Sequence, residues 1–436
     1  MKKYAFIMST YVYILLVFFL LLLGTMLVVL NNTRLLANKI KENTDGNIDF
    51  NLVLKGDKEI FIVKDSEYIE PGCIATTFDG EKLEVRVMGE ANAKKSGEYD
   101  IEYSAEYKGV EKKVKRKVIV GENLVTYITN LYEDSITRAS NNLKKDNTED
   151  KNIRYYGANP NNYVRFNNEL WRIIGIFGNN VKLIRNDRLG WLSWDTSEST
   201  VNSGYGINQW GESKDTSGNI YEGADLQVYL NKMYYGGIEV TCYNDLNNTK
   251  TTCPKDSNGN FLELDDVAKK LIDNHTWNIG AMRYISRTNT LTFYQAERGS
   301  VHGKSSCSSG NQCNDTIIRT TEWTGYVGLP YVTDWAYASS EGICETNMAT
   351  QDSSNNYICK NNNWMQKSIL AWYLLPVTTS SGACYAWYVN KTGDPAGNYT
   401  YGLGGVIPAV YLKSDVFVTG GLGTSDNPYK LWLSEN

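Results

Sequence analysis

The feature that most constrains this chain is the run from Tyr4 to Leu30. It carries no charged residue and no proline, and its polar side chains are Ser9, Thr10, Thr25 and the hydroxyls of three tyrosines. A helix rises about 1.5 Å per residue, so about 20 apolar residues cross a hydrocarbon core about 30 Å thick. The run therefore predicts a membrane helix over residues 4–30, with everything after Asn31 on one side of the bilayer. A core helix of this length would show a polar face. A cleaved signal peptide would have a shorter apolar region and a small-x-small site, and Val29-Leu30-Asn31-Asn32-Thr33 offers none. Lys2 and Lys3 precede the run while Arg34, Lys39 and Lys41 follow it, so flanking charge does not set the orientation.

The cysteines set it instead. Eight are present, and six fall in three local pairs within polar segments: Cys242 with Cys253, Cys307 with Cys313, and Cys344 with Cys359. Each pair closes a loop with few apolar residues to hold it, where a disulfide contributes about 2–4 kcal/mol by restricting the unfolded chain. Such usage points to an oxidising, extracytoplasmic location. Zinc would want closer Cys spacing or histidine partners, and only two histidines occur. Cys73 and Cys384 remain as separate buried thiols. Net charge is −5, which supplies no basic footprint for nucleic acid.

Taken in order, residues 1–47 read as the membrane helix and a helical stalk, with Leu35, Leu36 and Ile40 on one face. Residues 48–121 read as short strands separated by turn signals at Glu70-Pro71-Gly72 and Phe78-Asp79-Gly80. Residues 122–152 read as a linker: a helix capped by Asn123, with Leu124, Ile128 and Leu131 at helical spacing, then a polar end from Asn141 to Asn152. Residues 153–436 read as one α+β unit. It opens with the hairpin strands Tyr163–Phe166, Leu170–Phe177 and Val181–Arg185, and carries helices near Gly223–Tyr235 and Asp265–Asp273.

Two stretches resemble known families. Tyr68-Ile69-Glu70-Pro71-Gly72, Phe78-Asp79-Gly80, Lys95-Ser96-Gly97-Glu98-Tyr99-Asp100-Ile101-Glu102-Tyr103 and the closing Val118-Ile119-Val120 resemble bacterial immunoglobulin-like surface repeats. That resemblance implies an all-β sandwich acting as a spacer. Tyr163-Val164-Arg165-Phe166-Asn167-Asn168-Glu169-Leu170-Trp171-Arg172-Ile173-Ile174-Gly175 resembles the opening hairpin of an uncharacterised surface domain. That family is similar to the C-type-lectin-like and formylglycine-generating-enzyme folds. Trp277-Asn278-Ile279-Gly280, Trp323 to Leu329, Asp334 to Ala338 and Gly404 to Lys413 follow in the matching order. This resemblance implies display or binding.

No catalytic constellation is legible. His275 and His302 neighbour no triad or metal motif, and no Gly-x-Ser-x-Gly, His-Glu-x-x-His or phosphate loop occurs. Cys384 lacks the second cysteine that the oxidase chemistry of the similar fold requires. No cofactor is expected. Asp215 to Asn219 and Asp256 to Asn260 hold alternating oxygens, but the turn glycine and closing glutamate of a calcium loop are misplaced, so plain turns are expected. Aromatic residues crowd the last third of the chain. Trp323, Tyr326, Trp335, Tyr337 and Trp387 are the candidate ligand-stacking residues, for a carbohydrate or protein partner. The expectation is a single-pass, anchored surface protein presenting a lectin-like domain for adhesion or recognition. The alternative is a pilin-like subunit that self-assembles. Lys2-Lys3-Tyr4-Ala5-Phe6 resembles a prepilin start, although Thr10 stands where that family has a glutamate.

Overall fold

A computed structural model describes residues 19, 22–30, 32–34, 49–196, 206–215, 217–244, 250–283, 289–299, 317, 318, 320–378 and 384–433. Residues 22–30 and 32–34 are helical. Among the described residues no helix is long and apolar enough to cross a membrane, so a spanning helix over 4–30 is not seen. Most of that run lies outside the described residues, as do the prepilin-like start, the stalk beyond Arg34, His302, Cys307 and Cys313. The chain divides into two compact units, Met1–Ile119 and Val120–Asn436.

In the first unit, the β-formers seen in the sequence make two layers. Phe50–Leu54 pairs with Cys73–Thr77, which pairs with Lys82–Leu83. Gly97–Tyr107 and the strand beginning at Val110 form a hairpin over Lys108 and Gly109, both at positive φ as a tight hairpin turn requires. Alternation places Phe50 and Ala75 of one layer against Ala105 of the other, with Ile101, Tyr103 and Val118 forming a second buried group. A charged pair is sealed inside. Arg116 is fully buried and bonds the Glu70 carboxylate, which also accepts from the Tyr68 and Tyr103 hydroxyls and the Gly72 amide. Arg116 Nε donates to the Asp57 carbonyl at 2.9 Å. Cys73 is a free thiol, half-buried, with Sγ 3.1 Å from the Val53 carbonyl; burial raises its pKa.

In the second unit, the strand Glu169–Phe177 is the centre of the main sheet. Its residues from Trp171 onward are buried on both faces. Tyr163–Phe166 and Asn180–Arg185 flank it antiparallel. The first turn uses Asn167 and Asn168 at φ 54° and 57°, the second Gly178 at φ 59°. A bulge lies between Ile173 and Gly175, where a Cβ on Gly175 would stand 2.2 Å from the Ile153 carbonyl oxygen. That close approach lets Ile153–Tyr155 pair on the same strand and fixes Arg154 opposite Gly175. Beyond Asn180–Arg185 the sheet continues through Ala409–Tyr411 to Val327–Gly328. On the other side Tyr163–Phe166 pairs parallel with Tyr429–Leu433, then Val416–Gly420. A second sheet runs Gly190–Ser193, Leu403–Val406, Ala371–Thr378, Tyr385–Val389, Pro395–Tyr399.

Indole rings fill the interior of this unit. Trp194 packs edge-on to Trp210 at 5.0 Å and to Trp372 at 6.1 Å. The helix Leu124–Glu133 is capped as expected, with the Asn123 side chain accepting from the Thr126 amide, and it buries Leu124 and Ile128. The expected linker is instead part of the unit. Leu143–Lys145 pairs with Ile153–Tyr155, and Asp146, Thr148 and Asn152 are buried. Its polar composition reads as a frayed end, yet those polar groups bond one another. The helix expected over Gly223–Tyr235 begins at Asp225 and widens to a π-helix over Tyr229–Tyr235.

Disulfides join Cys242 to Cys253 and Cys344 to Cys359. Cys384 is also disulfide-bonded, which corrects the expectation of a separate thiol there.

Candidate functional site

The aromatic residues singled out in the sequence do not meet as one surface. Trp335, Tyr337 and Trp387 have no solvent-accessible surface, so their ring faces are spent on the core. Trp387 packs on Phe293 at 4.8 Å, and Trp335 Nε1 donates to Gln366 at 3.0 Å. Trp323 is half-buried between Gly211 and Gly325; a Cβ on either glycine would fall within 2.4 Å of its ring. Tyr326 lies flat on Tyr235, with centroids 4.0 Å apart and planes 9° apart. A ring stacked on a neighbour offers an edge to a ligand rather than a face. The indole most open to water among the described residues is Trp191, 41% exposed, with the Arg188 guanidinium over it at 5.3 Å.

The charged residues divide into an interior group and a surface group. Inside, Arg154 Nε meets Asp146 at 2.6 Å and its NH1 meets Asp334 at 2.8 Å, while Lys182 Nζ meets the other Asp334 oxygen at 2.6 Å. All four residues are 2% exposed or less. Asp334 also accepts from the Tyr331 amide, closing the start of the helix Val332–Tyr337. Asp146 takes further bonds from Thr148 and Asn152. Rings of Tyr331, Trp277 and Tyr411 surround the Lys182 ammonium at 3.9, 5.2 and 5.2 Å. Burial pulls that ammonium down to about 8, against the pull of Asp334. The same desolvation raises the Glu297 carboxyl to about 7; it accepts from the Thr333 hydroxyl and amide and pairs with Arg298. His275 sits beside this group, its Nδ1 3.0 Å from Asp273 and its ring stacked on Tyr411 at 3.7 Å. Burial lowers its pKa. Each of these carboxylates has a cation or several donors, and the arrangement fixes the packing of a charged but enclosed core.

The surface group lines an open cleft of about 750 Å³. Its lining comes from three stretches: Glu169 at the head of the central strand; Met233, Gly237 and Glu239 at the end of the π-helix; and Asp256 to Glu263. Local bonding holds each wall. Gly237, at φ +70°, ends the helix with its amide on the Met233 carbonyl at 2.8 Å, and the Ile238 amide returns to Lys232 at 2.9 Å. The third stretch is clamped to the Asn167–Asn168 hairpin turn. Asn167 Nδ2 donates to the Glu263 carbonyl at 3.1 Å, its Oδ1 accepts the Asp265 amide at 2.7 Å, and Asn168 Nδ2 reaches Asp265 at 3.0 Å. Arg185 braces the far wall, with Nε on Glu169 at 2.6 Å and NH1 on the carbonyls of Asp187 and Arg188. The Cys242–Cys253 disulfide closes the intervening loop.

The turn that tempts a calcium reading is a self-satisfied one. Asp256 accepts the amides of Asn258 and Asn260 at 2.8 and 2.9 Å. Asp215 does the same with Ser217 and Asn219, Asp352 with Ser354 and Asn356, and Asn390 with Thr392 and Asp394. The backbone bond from Asn260 is the main reason the Asp256 carboxyl lies below its ordinary range. Among the described residues no group of three or more His, Cys, Asp or Glu is placed to hold a metal ion.

Residues 52–120 match the model of the family described as "Bacterial surface protein, Ig-like domain". The first unit thus carries an Ig-like domain of the bacterial surface type, as its order of turns led us to expect. None of the curated proteins matches the chain. Two solved structures have faint similarity. One is a lipoprotein from Bacteroides thetaiotaomicron, 20% identical, covering 40% of this chain and 77% of that chain with a TM-score of 0.17. The other comprises the CBM51-2 and INT domains of ZmpB from Clostridium perfringens, 12% identical, covering 39% and 38% with a TM-score of 0.14. Similarity at that level carries no argument about fold or activity.

Sequence reasoning missed the cleft. Its carboxylates are separated along the chain and sit in turn-like segments, where acidic residues are common. The one local signal was the Asn167-Asn168 hairpin turn, and nothing in its spacing hints that it bonds Glu263 and Asp265.

Proposed function

We propose that this chain is a membrane-anchored bacterial surface protein in which the Ig-like domain is a spacer and the large unit is a lectin-like binding head. The cleft carries the proposal. It is open, floored by Met233 and Leu262, walled by turns bonded to a rigid hairpin, and lined by more carboxylates than its partners neutralise. Binding residues on loops held by a rigid sheet are the usual arrangement for recognition. The disulfides Cys242–Cys253 and Cys344–Cys359 support an extracytoplasmic setting. The anchor reading is supported by the helical residues Leu22–Leu30, whose large apolar side chains are all exposed. The head works without catalysis or cofactor in this reading.

Two measurements test it. Protease treatment of intact cells should release the large unit; protection would place it on the wrong side. Capture screens with the full chain against glycans and surface proteins should return a ligand whose binding is lost when the cleft is altered. A ligand insensitive to every cleft change would move the site elsewhere.

A further inference from the structure

We infer that the second unit closes an amide bond between the side chains of Lys182 and Asp334, a covalent link that joins the main sheet to the helix Val332–Tyr337. The inference is independent of the cleft and goes beyond the binding reading above.

The two groups meet as reactants. Lys182 stands on the strand Asn180–Arg185 of the main sheet, and Asp334 in the first turn of the helix, 152 positions away. Nζ lies 2.6 Å from Oδ2, and both side chains are sealed from water. The two oxygens of Asp334 are held differently. Oδ1 takes the Arg154 guanidinium at 2.8 Å, while Oδ2 takes Nζ and the Tyr331 amide, the latter at 2.9 Å. One oxygen thus sits in the field of a fixed cation and the other faces the amine. Arg154 NH2 is buried without a hydrogen-bond partner, so the same guanidinium has a donor to spare. A second carboxyl stands close by. Glu297 is fully buried, bonds the hydroxyl and amide of Thr333, the residue before Asp334, and is electrostatically coupled to Lys182 and Asp334.

The step needs no reagent from outside. One ammonium proton passes to Oδ2, which turns the ion pair into an amine and a carboxylic acid. A sealed site favours that neutral form, because each buried charge has lost its water. Burial pulls the Lys182 ammonium down to about 8, so a free lone pair on Nζ is within reach near neutral pH. Nζ attacks Cγ, and the negative charge of the tetrahedral intermediate falls on Oδ1 beside Arg154. A second proton leaves Nζ for Oδ2, with Glu297, raised to about 7 by burial, as the group that carries it. The Cγ–Oδ2 bond breaks and one water departs. One nitrogen–carbon bond replaces one carbon–oxygen bond, two of the three ammonium protons leave with Oδ2, and net charge is unchanged. Rings of Tyr331, Trp277 and Tyr411 stand around Nζ and keep bulk water from reversing the step. Lys182 and Asp334 titrate only in molecules where the bond has not closed. Unlike the two disulfides, the bond survives a reductant.

The test is the mass of the full chain, purified in zwitterionic detergent, then reduced and denatured. The main species should be lighter by one water than its sequence requires. Trypsin should fail to cut after Lys182 and should yield a branched peptide joining residues 173–185 to residues 320–360. Lys182→Arg keeps the positive charge but offers no amine, so it should show the full mass and migrate more slowly in a denaturing gel. Glu297→Gln should leave a severalfold larger share of molecules unbonded, with the disulfides still paired. If a variant does not fold, the wild-type digest still decides. A wild type at full mass, with a peptide ending at Lys182, overturns the inference and leaves an ion pair only. Loss of water without the branched peptide also overturns it, by placing the dehydration at another residue. Neither result bears on ligand capture by the head, which the cleft variants test separately.

Discussion

The large unit holds acidic residues in two settings that differ in how each charge is answered. In the interior, Asp146, Asp334 and Glu297 face Arg154, Lys182 and Arg298 at 2.6–3.2 Å, with hydroxyls and amides completing their bonds. In the cleft, Glu239 and Glu263 are exposed to water and make no ion pair among the described residues. Desolvation explains the difference. A buried carboxylate without a cation costs several kcal/mol, so the interior tolerates only matched sets. An exposed carboxylate costs little and can wait for a partner. Matched charges define the packing, and unmatched ones stay open to solvent.

That contrast can be broken first at Lys182. Lys182→Met leaves Asp334 with Arg154 alone and removes the positive charge from a sealed site. We expect a loss of about 3–5 kcal/mol, read as a large fall in the denaturation midpoint of the second unit. A change below about 1 kcal/mol would show that the interior set is not needed for stability.

Glu297 gives the next effect through pH. Its folded pKa is raised from 4.5 to about 7, so the contribution of this group to stability is fully present below pH 4.5 and is lost as pH rises through 7. Arg298, Thr333, Asp334 and Lys182 face it, and burial is the dominant cause. Between those limits the wild type should lose up to about 1.4 kcal/mol per pH unit from this group, and Glu297→Gln should flatten that slope. Lys182 acts in a higher window: its contribution is present above pH 10.5 and is lost as pH falls through about 8. Denaturant titrations at half-unit pH steps would separate the two. A wild type and Glu297→Gln pair with parallel profiles would argue against a buried titrating carboxyl.

Asn167→Ala removes two of the three bonds from the hairpin turn to the cleft wall, leaving Asn168 on Asp265, and it replaces a residue suited to φ 54°. We expect a loss of about 1–2 kcal/mol and faster amide exchange over residues 256–265, with no change around Asp334. The smallest stability effect belongs to the cleft itself: Glu239→Gln with Glu263→Gln should shift stability by less than about 0.5 kcal/mol while changing binding. A loss as large as that of Lys182→Met would place these carboxylates in the structural class.

Local features were legible in the sequence. The Asn167-Asn168 turn, the Asn123 cap, the turn order of the Ig-like domain and the pairs Cys242–Cys253 and Cys344–Cys359 involve residues close in the chain, where spacing and turn chemistry suffice. Arg154 and Lys182 meet Asp334 across 180 and 152 positions, and no periodicity reveals such partners. The polar stretch Asn141–Asn152 looked dispensable because its bonds lie inside the fold. Trp335, Tyr337 and Trp387 looked like contact residues because composition cannot say which face of a ring is taken. Trp191, the exposed indole, sits in a short strand with nothing to distinguish it from its buried neighbours.

The parallel pairing of Val164 and Arg165 with Tyr429 and Lys430 has a consequence for how this unit comes into being. A ribbon laid down first waits for one made much later, and Asn123 and Glu122 wait likewise for Phe417 and Val418. The nascent polypeptide thus stays open-edged from Val164 until Tyr429 has been added. A chain stopped before Tyr429 leaves a sticky seam in place of a closed sheet.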